Sequence, residues 1–157
     1  MPRGKRESVF MATTTKSPAE TAGDIQALIG KHGARQILTE YDAKGELTGI
    51  SFVLDVNGQL IPFKPQIRWE RLLEKMMGDS KTQNRYCTPE QARRSAWRIA
   101  FHWLEAQLAY VDSGMVTFLE IMLPFAQIGG NGEQTVFEQL EEKHFKMLPD
   151  YREKEQS

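Results

Sequence analysis

The clearest pattern in the chain is the alternation of apolar and polar positions on either side of Asn57-Gly58. Both residues of that pair tolerate positive φ, so the flanking runs are expected to form a hairpin with a two-residue turn. Such a turn fixes the register: Val56 faces Gln59, Leu54 faces Ile61, and Phe52 faces Phe63. Ile50, Phe52, Leu54, Ile61 and Phe63 then share one face of the sheet, and Ser51, Val53, Asp55, Leu60, Pro62 and Lys64 share the other. Pro62 has no N–H to give to a ladder, which predicts an edge position for its strand. A preceding strand, residues 34–41, joins through the loop Asp42-Ala43-Lys44-Gly45 and puts Ile37, Thr39 and Tyr41 on the Phe52 face. The expectation is a three-stranded antiparallel β-meander with helices covering one side.

Helical patterning surrounds this meander. Ser17-Pro18-Ala19-Glu20 has the form of a capping box with proline at the first helical position. It opens a helix with Ala22, Ile25, Leu28 and Ile29 on one face and Gly30 and Gly33 at its end. Gly23 weakens that helix, so its regular part is expected nearer Asp24. After the meander, residues 66–77 carry an apolar stripe of Trp69, Leu72, Leu73 and Met76, stopped by Gly78. Residues 78–87 are polar and aperiodic, as in a mobile loop. Thr88-Pro89-Glu90-Gln91 is another capping box and begins the longest helix, reaching about Asp112. It is apolar almost all round, with Ala92, Ala96, Ile99, Trp103 and their neighbours, as in a central helix packed on more than one side. Thr117-Phe118-Leu119-Glu120 caps a short helix that Pro124 ends. Gly129-Gly130-Asn131-Gly132 reads as a loop, and Thr135-Val136-Phe137-Glu138 caps a last helix to about Lys146.

The predicted fold class is therefore α+β: an N-terminal helix, a three-stranded antiparallel β-meander, then a helical C-terminal half with one long central helix. Residues 17–148 are expected to form one domain, with flexible tails at 1–16 and 149–157. The 157 residues, 40% hydrophobic and 26% charged, suit one globular domain with a real core. No apolar run approaches the roughly 20 residues that cross a bilayer. The longest, 116–128, is broken by Glu120 and Pro124. The single cysteine, Cys87, leaves no internal disulfide and fits a reducing compartment. The N-terminal bases have no apolar stretch behind them, unlike a secretory signal. The expected location is cytoplasmic, with no membrane partner.

The net charge of −1 conceals an uneven distribution. Residues 64–98 carry nine bases against four acids, whereas residues 99–157 carry four bases against ten acids. On the long helix Arg94, Trp97, Arg98 and Phe101 fall at i, i+3, i+4 and i+7, with Arg93 beside them. The preceding helix adds Arg68, Arg71 and Lys75, and the loop between adds Lys81, Arg85 and Tyr86. Bases interleaved with aromatics suit single-stranded DNA or RNA, where cations follow phosphates and rings stack on bases. The same residues also fit a plainer arrangement. In that case Trp97 and Phe101 pack under the loop, a neighbouring helix or another subunit, and the arginines pair with the acidic C-terminal helix.

Local chemistry is sparse. Cys87 has no nucleophile signature around it, and His32, His102 and His144 lack zinc-ligand spacing. His102 and Glu105 stand three apart on one helix, but no second such pair completes a metal site. The 129–132 loop lacks the strand before it and the Lys-Ser/Thr after it that a phosphate loop requires. No catalytic residue, metal or cofactor is expected, and the protein is expected not to be an enzyme.

Two stretches carry a resemblance. Gly49-Ile50-Ser51-Phe52-Val53-Leu54-Asp55 with Phe63-Lys64-Pro65 is the first. The second is Gln91-Ala92-Arg93-Arg94-Ser95-Ala96-Trp97-Arg98 with Trp103-Leu104-Glu105-Ala106-Gln107-Leu108 and Met122-Leu123-Pro124. Together they resemble uncharacterised small proteins of bacteriophages and bacterial mobile elements, over about residues 30–145. That resemblance implies a setting, handling DNA or binding a host protein, and assigns no active residue. The element order is also similar to that of the double-stranded-RNA-binding domain. However, Pro65-Gln66-Ile67-Arg68 stands where that family has a lysine run, and the C-terminal half is additional, so the shared order is treated as a common topology. The reading favours an accessory protein that binds nucleic acid, preferably single-stranded. The alternative is an interaction module, an inhibitor or assembly factor, that binds a host or phage protein through the sheet edge or the long helix. A homodimer is a further expectation.

Overall fold

The computed structural model describes residues 8–129 and 134–154. The meander is present with β1 (Ala34–Tyr41), β2 (Leu47–Val56) and β3 (Gln59–Phe63) in the order β1-β2-β3, all antiparallel. Val56 pairs with Gln59, Leu54 with Ile61 and Phe52 with Phe63, the register set by the two-residue turn. Asn57 and Gly58 take φ of 53° and 87°, and Asp55 accepts a 2.8 Å hydrogen bond from the Gly58 N–H. Ile37 pairs with Phe52 and Thr39 with Ile50, whereas an irregularity between Glu40 and Tyr41 leaves the Tyr41 ring exposed at the corner. On the outer face Lys64 reaches over the bare Gly49 position to Glu40, with both oxygens near 3 Å from its ammonium group.

Four helix starts follow from hydroxyl caps. The side chains of Ser17, Thr88, Thr117 and Thr135 each accept from the N–H three residues on, at 3.1–3.2 Å. They open α1 (Pro18–Lys31), α3 (Pro89–Asp112), α4 (Phe118–Met122) and α5 (Val136–Glu142). Each such cap supplies about 1 kcal/mol by satisfying a donor the helix leaves free. Helix α2 (Trp69–Gly78) has no side-chain cap and starts later than periodicity predicts. Ile67 is packed against the main core instead, in an extended lead-in after Pro65. α5 stops short of Lys146 because His144 and Phe145 adopt φ of 54° and 52°, folding the Phe145 ring back against Phe137 at 5.6 Å. A short helix, α6 (Tyr151–Lys154), lies in the segment expected to be a tail. Part of the predicted 129–132 loop lies outside the described residues.

Two apolar clusters hold these elements together, and α3 contributes to both. In the larger one Ile50, Phe52, Leu54 and Phe63 of the sheet meet Ala22, Ile25 and Ile29 of α1 and Trp97 and Leu104 of α3. The smaller one joins Met76 of α2 and Ala92 of α3 to Ala12. Ala12 belongs to the stretch read as a flexible tail. Residues 8–16 lie instead on α3, with Ala12 only 2% exposed. The signal for this was the apolar run Val9-Phe10-Met11-Ala12. Residues 1–7 of that predicted tail lie outside the described residues. Gln91, expected to close a capping box, sends its amide N–H groups to the carbonyls of Ala12 and Thr14, each at 2.9 Å, and Ser95 donates to the Met11 carbonyl at 2.8 Å.

These contacts make stability at Gln91 measurable. Gln91→Ala leaves two carbonyls without their donor, so chemical denaturation is expected to show a loss of about 1–3 kcal/mol.

Stability also depends on pH through His32. His32 closes α1 with Nδ1 2.8 Å from the Leu28 carbonyl and Nε2 2.9 Å from the Asp112 carboxylate at the end of α3. Both partners are acceptors, so only the imidazolium satisfies both. The Leu28 carbonyl first, and Asp112 next, raise the His32 pKa above its ordinary value of 6.5. The folded value exceeds the unfolded one, so this stabilisation is complete below about pH 6.5 and is lost as pH rises through the raised value. The expected loss is about 0.3–1 kcal/mol, that of a cation near a helix C-terminus. It should be absent from the pH–stability profile of His32→Gln.

Candidate functional site

The rotation of α3 about its axis decides which side chains are available. Trp97, Phe101, Leu104 and Leu108 recur at i, i+4, i+7 and i+11, a continuous stripe over three turns. That stripe faces the sheet and α1: Trp97 and Leu104 are each 1% exposed, and Phe101 packs at the edge of the same cluster. Sequence periodicity contained this signal. Trp97 and Phe101 belong to one face with Leu104 and Leu108, not to the predicted basic stripe.

The predicted nucleic-acid surface is consequently dispersed. Trp97 cannot stack on a base, because its ring is enclosed in the core. Arg98 runs to Asp24 of α1 at 2.7 Å, with its guanidinium 4.3 Å from the Phe101 ring centroid. Arg94 pairs with Glu90 one turn away at 2.7 Å, and the Arg93 guanidinium lies over the Trp69 ring at 4.3 Å. Tyr86 is half-buried in the smaller cluster with Arg85 over its ring. Lys81 is half-buried, and its N–H donates to Asp79. Arg68, Arg71, Lys75 and Arg85 are exposed. Of these, Arg68, Arg71 and Lys75 fall on one side of α2 and its cap.

The structure opens a groove where the sequence suggests core. Ala96, Ile99, Ala100 and Trp103 form its floor on α3. One wall is Arg68 and Leu72 with the lead-in 65–67; the other is Pro124, Phe125, Thr135 and Phe137. The alanines keep the floor low. Pro124 turns the chain away after α4 into a 3-10 turn, Leu123–Phe125, so no helix covers the opening. The second wall is held by β4 (Gln127–Ile128) paired with β5 (Gln134–Thr135), and by the Lys64 N–H donating to the Phe125 carbonyl at 2.9 Å. Phe125 meets Trp103 edge-on at 5.3 Å. The volume is about 520 Å³, within the range of ligand-sized clefts. Among the described residues lining it, Arg68 is the one that carries charge, and it has no ion-pair partner among the described residues.

Other candidate chemistry stays separate. His102 Nδ1 lies 3.4 Å from Glu105, and among the described residues no three His, Cys, Asp or Glu side chains are grouped to hold a metal. The Cys87 thiol is half-buried and donates to the Met76 carbonyl at 3.4 Å. Among the described residues no helix is long and apolar enough to cross a membrane. Comparison with protein-family models, curated proteins and solved structures gave no match.

The burial of Trp97 yields a direct prediction. Trp97→Ala removes a large ring from a close-packed cluster and is expected to cost about 3–5 kcal/mol in denaturant unfolding. Arg71→Ala, on the exposed side of α2, is expected to change stability by less than about 0.5 kcal/mol.

Proposed function

We propose that this protein is an interaction module whose α2–α3 groove receives an apolar segment of a protein partner, with a carboxylate of that segment on Arg68. The observation that carries this reading is the uncovered floor of α3. Ile99 and Trp103 line an open trough while the opposite stripe of the same helix is sealed in the core. Phe137 of the second wall is 40% exposed, and Leu123, next to the lining residue Pro124, is 46% exposed. An open apolar groove of this kind suits a protein segment, with anchors on one face reaching the floor. Arg71 and Lys75 beside Arg68 favour acidic residues at the near end of the segment and repel basic ones.

A random displayed-peptide library screened against the whole chain tests this. Enriched peptides are expected to combine two or more large apolar side chains with at least one Asp or Glu. Ala96→Arg, which fills the floor, is expected to weaken their binding at least tenfold, about 1.4 kcal/mol. Arg68→Ala is expected to weaken it by a similar factor, and Arg85→Ala in the remote loop to leave it unchanged. Peptides that bind Ala96→Arg as tightly as the parent chain would overturn the reading. Salt-sensitive capture of single-stranded DNA or RNA, lost in Arg71→Ala with Lys75→Ala but indifferent to Ala96→Arg, would replace it with nucleic-acid binding.

A further inference from the structure

The groove has an apolar counterpart on the same chain. Met147, Leu148 and Tyr151 are 70%, 63% and 75% exposed, and Tyr151 and Met147 are the most exposed large hydrophobics among the described residues. They lie within five residues, with Pro149 preventing a continuous helix and Asp150 supplying a carboxylate. This is the chemistry that the groove selects: large apolar side chains beside an acid. The segment springs from the groove's own rim, because Phe145, just before it, packs on Phe137, which lines the second wall. Yet none of residues 146–151 lines the groove of its own chain. The left-handed pair His144 and Phe145 turns the chain so that the three side chains point into solvent.

We infer that the segment occupying the groove is residues 147–151 of a second copy of this chain, exchanged reciprocally across a two-fold axis. The inference rests on the groove reading above and names its partner. A groove and a complementary segment side by side on one rim form a self-complementary patch, so a two-fold operation satisfies both at once and the assembly closes at two copies. The two contacts reinforce each other, since formation of one holds the other pair at high effective concentration. The charge match is local: Asp150 of one copy against Arg68 of the other. Asp150 now pairs with Arg152 in an exposed contact at 2.7 Å, a partner exchanged for Arg68 at little cost.

Sedimentation equilibrium on the full chain tests the exchange. The parent chain is expected to dimerise, and Ala96→Arg to be monomeric through loss of the groove. Truncation after Lys146 is expected to be monomeric through loss of the segment, and so is the full-length pair Met147→Asp with Tyr151→Asp, which keeps the test valid if the truncated chain misfolds. Mixing Ala96→Arg with either segment variant restores one intact groove and one intact segment, so a heterodimer is expected, at least tenfold weaker than the parent. A parent chain that stays monomeric to about 100 μM, a concentration that detects all but weak association, would overturn the inference. So would a dimer that survives both kinds of variant, or a mixture that remains monomeric. If the parent is monomeric while peptides still bind in an Ala96-dependent way, the groove reading stands and the second copy is excluded. Loss of both results removes both readings.

Discussion

The rotational setting of α3 is the constraint on which the rest of the structure depends. The stripe from Trp97 to Leu108 carries the largest buried side chains of the helix, and burying it fixes every other direction around the helix. A fully buried large side chain supplies about 1.5–3 kcal/mol, more than any exposed ion pair on the same helix. The arginines between the stripe residues therefore take whatever positions remain. Arg98 becomes a strap to Asp24 on α1, and Arg94 folds along its own helix to Glu90. Gln91 and Ser95 point toward residues 8–16 and satisfy that segment's carbonyls. The Ala96–Trp103 side, turned away from the sheet, is left as an open floor.

Small residues and a proline together make that floor a groove. Ala96 and Ala100 give little relief, Trp103 on the floor meets Phe125 of the wall edge-to-face, and the break at Pro124 ends α4 before it can extend as a helix. A core helix apolar all round normally has partners on every side. Here one side is only half-covered, by the two walls of the groove. That local mismatch between sequence character and packing is the feature on which the proposed binding function rests.

Local physics accounts for what the sequence revealed. The Asn57-Gly58 turn set the meander's register, and four hydroxyl caps set four helix starts, because those rules act over two to four residues. What depended on tertiary context was harder to see. The apolar faces of α3 nearly encircle it, so periodicity alone allowed two rotations, and the basic neighbours of Trp97 favoured the wrong one. Residues 8–16 looked polar and Thr-rich overall, and only the short run at 9–12 marked a packed segment. Gln91 carried a capping-box signature, but its side chain serves carbonyls 79 and 77 residues away in sequence. The groove itself was invisible because it is an absence of packing, formed by elements far apart in the chain.

Solvent access to the tryptophans separates the two rotations of α3 most directly. In two variants, each keeping either Trp97 or Trp103 and carrying Phe at the other two positions, acrylamide quenching reads each ring alone. Trp97 is expected to be strongly shielded and Trp103 readily quenched, with Trp103 protected when the groove is filled. A Trp97 quenched as readily as Trp103, or more so, would place it on the surface among the arginines and contradict the account.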